Sequence, residues 1–365
     1  MLYLYKPFIP DLAIEDIQET LSQGPLVYAK KGREFEEKFS EYIGVNSSCA
    51  VSSGTAALHI ALLALEISHE DLVFVPDFTW SSSVNVVEIV GAKPIFIDID
   101  LKTQCMDLLH LEKKLKEHTG HKGKKLIMPV HQHGYPMNMS KISELSKVYD
   151  CFVVEDAACA IGSEHNKKKI GSFSDISCFS FHPRKVLTTG EGGMVCTDNS
   201  IFSDRIRRFA NHGFQSDMKE YLFPGLNYRL TEIQSILGIR SLDYIEEIIF
   251  RRKELKNIYF RYLKEFPFLH LPDDNEGHNW QTFLVVLDSS IDRNNFLAKL
   301  NSMGINAVRS SNSLCSLPYF INKYGENTQV ENSKKVASQG LALPFCDSYG
   351  KDQVEQVFDA LKKLV

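Results

Sequence analysis

Ser180-Phe-His-Pro-Arg-Lys185 runs straight into Val186-Leu-Thr-Thr-Gly190-Glu-Gly-Gly193. The apolar run Ile176 to Phe181 reads as a strand that delivers one lysine into a turn. The glycine-rich return leads to a second strand, Met194 to Thr197. Lysines are mostly solvated, so one set between two β-runs and ringed by small residues asks for a reason. Two readings stand. Lys185 ends a strand as an exposed residue, or it is a buried amine that attacks a carbonyl and holds a cofactor covalently. The rest of the chain has to separate them.

The chain has 365 residues and a formal net charge of −5. That length suits a large α/β domain with a smaller companion and buries a core without staples. A mildly acidic balance argues for no nucleic-acid partner and no anionic membrane surface. The 8 cysteines form no CxxC pair and no His/Cys cluster of zinc spacing, so no metal is expected. Cys151, Cys178 and Cys196 lie in apolar runs, where free cysteine acts as a small hydrophobe. This pattern suits a reducing cytoplasm. The first residues lack the pattern of a signal peptide, and no apolar run approaches a membrane span. A cytoplasmic protein is expected.

Leu12 to Ser22 and Gly32 to Ile43 read as helices. Cys49-Ala-Val-Ser-Ser-Gly54-Thr55 is a small-residue turn that opens a strongly apolar helix. Its start is either an ordinary Ser/Thr cap or a set of open amides at the positive end of the helix, suited to a phosphate. Apolar runs follow at Leu72–Pro76, Pro94–Asp98, Lys125–Val130 and Cys151–Asp156, with helices expected near 81–90 and 140–149. Strands without clean alternation, separated by helices, predict a mostly parallel sheet covered on both faces. Ligands in such sheets lie at the carboxyl ends of strands, and Asp77, His131, Asp156 and Lys185 all follow apolar runs in that manner. His131 and His133 lack a third metal ligand and are expected at the edge of the pocket. Leu230 to Phe266 reads as one long bridging helix, and alternating strand and helix patterns follow Pro267. The expected division is a large domain over 1–240, including the N-terminal segment, and a small α+β domain over 241–365.

Asp156 either caps the next helix or works with Lys185, one crossover later. Pyridoxal 5'-phosphate needs a lysine for its aldehyde and a carboxylate at its ring nitrogen. It also needs donors for its phosphate and a flat side chain against its ring. The candidates are Lys185, Asp156, the Ser53-Gly54-Thr55 helix start with Ser180, and Trp80.

These residues sit within motifs that come in a familiar order. They are Val51-Ser-Ser-Gly-Thr-Ala-Ala-Leu-His59, Val75-Pro-Asp-Phe-Thr-Trp80, Gly91-Ala-Lys-Pro-Ile-Phe-Ile-Asp98, Pro129-Val-His-Gln-His-Gly134, Val154-Glu-Asp-Ala-Ala158, Phe179-Ser-Phe-His-Pro-Arg-Lys185, Gly190-Glu-Gly-Gly193 and Gly225-Leu-Asn-Tyr-Arg-Leu230. The ordered set resembles the DegT/DnrJ/EryC1/StrS family of pyridoxal-phosphate-dependent sugar aminotransferases. The resemblance implies an aspartate-aminotransferase-like fold of type I. It implies transfer of an amino group from an amino acid, L-glutamate, to a keto group of a sugar, expected to be nucleotide-linked, for glycan or polysaccharide biosynthesis.

Carried onto this chain, the resemblance makes Lys185 the covalent anchor and proton carrier. Asp156 pairs with the ring nitrogen, Trp80 stacks on the ring, and Gly54, Thr55 and Ser180 hold the phosphate. Asn227 reaches the phosphate of a neighbouring subunit, which implies a homodimer with shared active sites. Two positions depart from the family. Cys159 stands where glutamine, glutamate or histidine is common near the ring hydroxyl, and a thiol is a weak hydrogen-bonding group. The segment Val308 to Tyr319 lacks the family's sugar-contacting histidines; there, Arg309 meets a substrate carboxylate or phosphate, or is a surface arginine. Two other readings are a sugar dehydratase and a non-catalytic binding regulator. Dehydratase relatives carry histidine in place of the lysine, so Lys185 speaks against the first.

Overall fold

The buried apolar runs and one further strand build the central sheet of this computed structural model, which describes residues 1–215, 218–327 and 329–364. Its strands are β1 (Ser47–Val51), β2 (Leu72–Pro76), β3 (Lys93–Ile97), β4 (Lys125–Ile127), β5 (Phe152–Asp156), β6 (Ile176–Ser180) and β7 (Gly193–Thr197). They lie in the order β1-β7-β6-β5-β4-β2-β3. Only β7 runs against its neighbours. The fold is α/β with a mostly parallel sheet, as the run pattern predicts. Successive side chains leave opposite faces: Phe74 enters one core with Phe35 and Ile142, while Val73 and Val75 enter the other with Ile60 and Leu62. β4 is shorter than its apolar run, because Pro129 has no amide to continue a ladder.

Two elements differ from the sequence expectation. Residues 49–51, read as part of a turn, join Ser47 and Ser48 in β1, paired with β7 from Ser47–Thr197 to Val51–Gly193. Gly193 permits this close approach, since a Cβ there would lie 2.5 Å from the Ser53 carbonyl oxygen. The long helix is two helices, Glu232–Leu242 and Ile245–Leu263, which part at Asp243 and Tyr244. The first packs on helices Asp11–Gln23 and Lys30–Ile43, the second on the closing helix Lys351–Lys362. Tertiary packing overrides continuous helical periodicity there.

A second, antiparallel sheet joins Leu269–His270, Phe283–Leu287, Val308–Arg309 and Gly340–Leu343. Its core gathers Tyr259, Trp280, Phe283, Phe345 and Leu361. The start of the chain packs here: Leu2 N donates to Gly304 O at 2.7 Å and Asn306 N donates to Leu2 O at 2.9 Å. Residues 312–327 and 329–339 cross back over the central sheet. Asp77 accepts from Ser313 Oγ at 2.5 Å and Cys315 N at 2.7 Å. Asp98 accepts from Ser333 N at 2.8 Å and Ser333 Oγ at 2.9 Å. Asp77 therefore fastens this segment to the carboxyl end of β2 and does not line the cleft between the two sheets. Among the described residues, no helix is long and apolar enough to cross a membrane. Nor are three or more His, Cys, Asp or Glu side chains grouped to hold a metal ion.

His131 also turns away from the pocket. Its Nδ1 accepts from Met137 N at 3.2 Å, so Nε2 carries the hydrogen and donates to Glu155 Oε2 at 3.1 Å. Glu155 is buried and further accepts from Gly171 N at 3.0 Å, Phe173 N at 3.2 Å and Ser174 Oγ at 2.7 Å. Burial pushes its pKa up, but His131 and the other donors outweigh burial and hold it below the ordinary glutamate value. The carboxylate thus stabilises the fold above that ordinary value, and the contribution is lost as pH falls through the lowered one. Glu155→Leu strands all of these donors. It should cost about 3 kcal/mol or more, read from urea unfolding at neutral pH.

Candidate active site

The carboxyl ends of β1, β5 and β6, with the loop after β2, open on a cleft of about 320 Å³. Gln281, Thr282 and residues 308–311 close its other side.

Helix Gly54–Ala64 points its start into the cleft. Ser53 caps it, its Oγ accepting from Ala56 N at 3.0 Å. Among the described residues, the Gly54 and Thr55 amides have no acceptor within the chain. Ser180, the last residue of β6, lies beside them. A Cβ on Gly54 would stand 2.7 Å from Ser180 Cβ and 3.2 Å from its Oγ. Only glycine lets the helix start and the strand end share this notch. Gly54→Ala forces them apart at about 1–3 kcal/mol, so cofactor affinity should fall about tenfold or more, measured by fluorescence titration with pyridoxal phosphate.

Asp156 ends β5 and is 4% exposed. Ser83 Oγ donates to it at 2.7 Å and Ala158 N at 3.2 Å. Burial pushes its pKa above the ordinary carboxylate value, while Ser83, Ala158 and the Lys185 charge pull the other way. Ser83 escaped the sequence reading. Its only signal was the serine run 81–83 at a helix start.

Lys185 lies in the turn after β6, its N donating to His182 O at 2.8 Å. Phe181, Val186 and Leu187 are buried in the core on either side, so the backbone is embedded while the side chain enters the cleft. Nζ lies 3.0 Å from Cys159 Sγ, which places the departing cysteine against the amine. His133 lines the same cleft in a left-handed conformation, φ 60°. Its Nε2 is buried without a partner among the described residues, and burial with the Lys185 charge holds its pKa down at about 3. His133 is a neutral ring in the pocket, as expected of its position; His131 is not there.

Trp80, 59% exposed, and Arg309, from the second sheet, also line the cleft. Asn227 does not. It is exposed, in a segment bridged to Asn211, outside the cleft of its own chain.

The donor set fits pyridoxal phosphate. Open amides and a hydroxyl crowd a notch that a Cβ would fill. A buried carboxylate and a lysine share the cavity, and an orphaned imidazole nitrogen lies beside them. The model of the DegT/DnrJ/EryC1/StrS aminotransferase family matches residues 9–362. The chain belongs to this family. It is a pyridoxal-phosphate-dependent aminotransferase. Within the family, it is 33% identical over 365 residues to the GDP-perosamine synthase of Escherichia coli O157:H7, covering 99% of this chain and 97% of that protein. It is 30% identical over 377 residues to the spore coat polysaccharide biosynthesis protein SpsC of Bacillus subtilis strain 168, covering 98% and 96%. The solved structure of Helicobacter pylori PseC, an aminotransferase involved in the biosynthesis of pseudoaminic acid, superposes with a TM-score of 0.91 at 23% identity, covering 99% and 98%. That last likeness concerns the fold.

Proposed function

We propose that this enzyme moves an amino group from L-glutamate to the keto group of a nucleotide-linked deoxysugar, in glycan or polysaccharide biosynthesis. The observation that carries the reading is the meeting of Lys185, Asp156 and the Gly54–Ser180 notch in one cleft. Relatives of nearly the full length that act as GDP-perosamine synthase or serve spore coat polysaccharide biosynthesis support the sugar.

When bound, pyridoxal phosphate supplies an electron sink for the charge left at a carbon that loses its proton. The chain's residues do the rest. The Gly54 and Thr55 amides and the Ser180 hydroxyl would hold the phosphate. Asp156 would pair with the ring nitrogen and favour its protonated form. Trp80 would supply the flat side chain for the ring. Lys185 would hold the cofactor covalently and, once free, would serve as the base for the amino-acid α-carbon. Arg309 meets a carboxylate or phosphate of the substrate. Asn227, outside its own cleft, reaches the phosphate site of a second copy, so the working form is a homodimer.

The test offers nitrogen-15 glutamate with a panel of keto-deoxysugars, nucleotide-linked and free, and weighs the products. Gain of labelled nitrogen supports the proposal. Loss of water without nitrogen would make the enzyme a dehydratase, and no turnover with bound cofactor would leave a binding protein.

A further inference from the structure

His278-Asn-Trp-Gln-Thr282 leads into the strand Phe283–Leu287 of the second sheet. Its polar groups reach back into three loops of the cleft. His278 Nε2 meets His133 O at 3.0 Å, and Thr282 N donates to the same oxygen at 3.3 Å. Asn279 Nδ2 donates to Cys159 O at 2.8 Å and Ile161 O at 2.9 Å. Gln281 Oε1 accepts from Val186 N at 2.8 Å, and its Nε2 donates to Arg184 O. The orientation of this amide is forced, because a backbone N–H only donates and a carbonyl only accepts. One buried side chain therefore grips the backbone on both sides of Lys185.

The grip is itself held. Gln281 N donates to Asn279 Oδ1 at 2.9 Å. Arg252, 3% exposed, donates from Nη1 to Trp280 O at 3.1 Å and Gln281 O at 3.3 Å. Its Nη2 lies 3.5 Å from Asp347 Oδ1. Trp280 between them is left-handed, φ 56°, a conformation that a bulky residue keeps only where its surroundings impose it. Here they do: Trp280 packs on Phe283, with ring centroids 5.9 Å apart, and on His278 at 4.2 Å. The strained residue sets the amide of the next one against the lysine turn.

We propose that Gln281 is a positioning residue for Lys185. It fixes the direction in which Nζ enters the cleft and ties that direction to the second sheet. Lysine has a flexible four-carbon stem, and its Nζ meets only the weakly bonding Cys159 thiol among the described residues, so the anchoring of its backbone does most to limit where the amine lies. A misplacement of about 1 Å in a reacting group can cost about a hundredfold in rate. The inference rests on the reading of Lys185 as the covalent anchor.

The test uses the full chain with pyridoxal phosphate and two variants. Gln281→Met keeps the shape and removes both hydrogen bonds. Gln281→Glu keeps the acceptor for Val186 N and loses the donor to Arg184 O. The readouts are the pH midpoint of the bound cofactor's visible band, the single-turnover rate with L-glutamate, KM for glutamate, and the melting temperature. Both variants should bind cofactor stoichiometrically. Their single-turnover rates should fall between about tenfold and a hundredfold, in the order wild type, Glu, Met. The band's pH midpoint should move, while KM changes little. Wild-type rates and midpoints in both variants would overturn the proposal. So would a rate loss that follows the melting temperature and disappears on cooling. If Gln281→Met does not fold, Gln281→Glu decides by the same readouts. A wild-type protein with no band overturns the reading of Lys185 and this inference with it, whereas a competent wild type with indifferent variants overturns only the inference.

Discussion

Lys185→Ala should lower turnover by at least about 10⁴-fold, because the proposed function gives this one amine two duties and proton transfer alone is worth about 10²–10⁴. No neighbour can take over. Lys185 is the only lysine among the described residues that line the cleft. His133 is neutral, with a pKa held at about 3, and its ring cannot anchor an aldehyde. Arg184 and Arg309 offer only guanidinium groups, which are poor nucleophiles. The variant should nonetheless fold. The turn is fixed by Phe181, Val186 and Leu187 in the core and by Gln281 on its backbone, none of which needs the lysine side chain. Its Nζ meets Cys159 Sγ at 3.0 Å, and losing that contact costs little. The measurements are nitrogen-15 transfer from glutamate, the visible band of bound cofactor, and the melting temperature. The band should be lost and the melting temperature kept. Lys185→Arg should be equally inactive, since it keeps the charge and loses the chemistry. Activity within tenfold of wild type in either variant would remove Lys185 from the mechanism.

The central sheet was legible because its strands are buried on both faces, and that burial shows as unbroken apolar runs. β1 was not legible: Ser47, Ser48, Cys49 and Ala50 have no such signature, and only pairing with β7 makes them a strand. The break at Asp243 was hidden for a similar reason, since no glycine or proline marks it and the two helices part to reach different partners. The site shows the same limit more sharply. Asp77, His131 and Asp156 look alike in sequence, as polar residues that follow apolar runs. What separates them lies far along the chain. Asp77 is claimed by Ser313 and Cys315, and His131 by Glu155 on the far face of β5. Asp156 accepts from Ser83 and Ala158 and still lines the cleft. Ser83 and Gln281 act through space on Asp156 and Lys185, so no motif around either residue announces them. Asn227 stays unassigned within a single chain, because its own cleft does not contain it.

Asp156→Asn should separate stability from activity. Burial raises the Asp156 pKa above the ordinary value of 3.8, against the pull of Ser83, Ala158 and Lys185. Between the ordinary and the raised value the native state binds more protons than the unfolded chain, so stability falls as pH rises through that window. The deficit persists at neutral pH in protein prepared without cofactor. Asparagine removes the charge and keeps the packing. Its Oδ1 can accept from Ala158 N while its Nδ2 donates to Ser83 Oγ, because a hydroxyl accepts as readily as it donates. The cofactor-free variant should therefore melt higher than wild type at about pH 8, by on the order of 2 °C. The gain should vanish near pH 4, where the wild-type carboxyl is close to its ordinary titration range. Turnover should fall about 10²–10⁴-fold, because a neutral amide cannot keep a proton on the pyridine nitrogen. Asp156→Glu should retain more activity than Asp156→Asn and show no gain in stability, since it keeps the buried charge and crowds Ser83. A cofactor-free Asp156→Asn that melts lower than wild type at pH 8, with Ser83 and Ala158 still able to pair, would mean that the buried charge is not a cost to the fold. Turnover within tenfold of wild type would mean that Asp156 does not face the ring nitrogen.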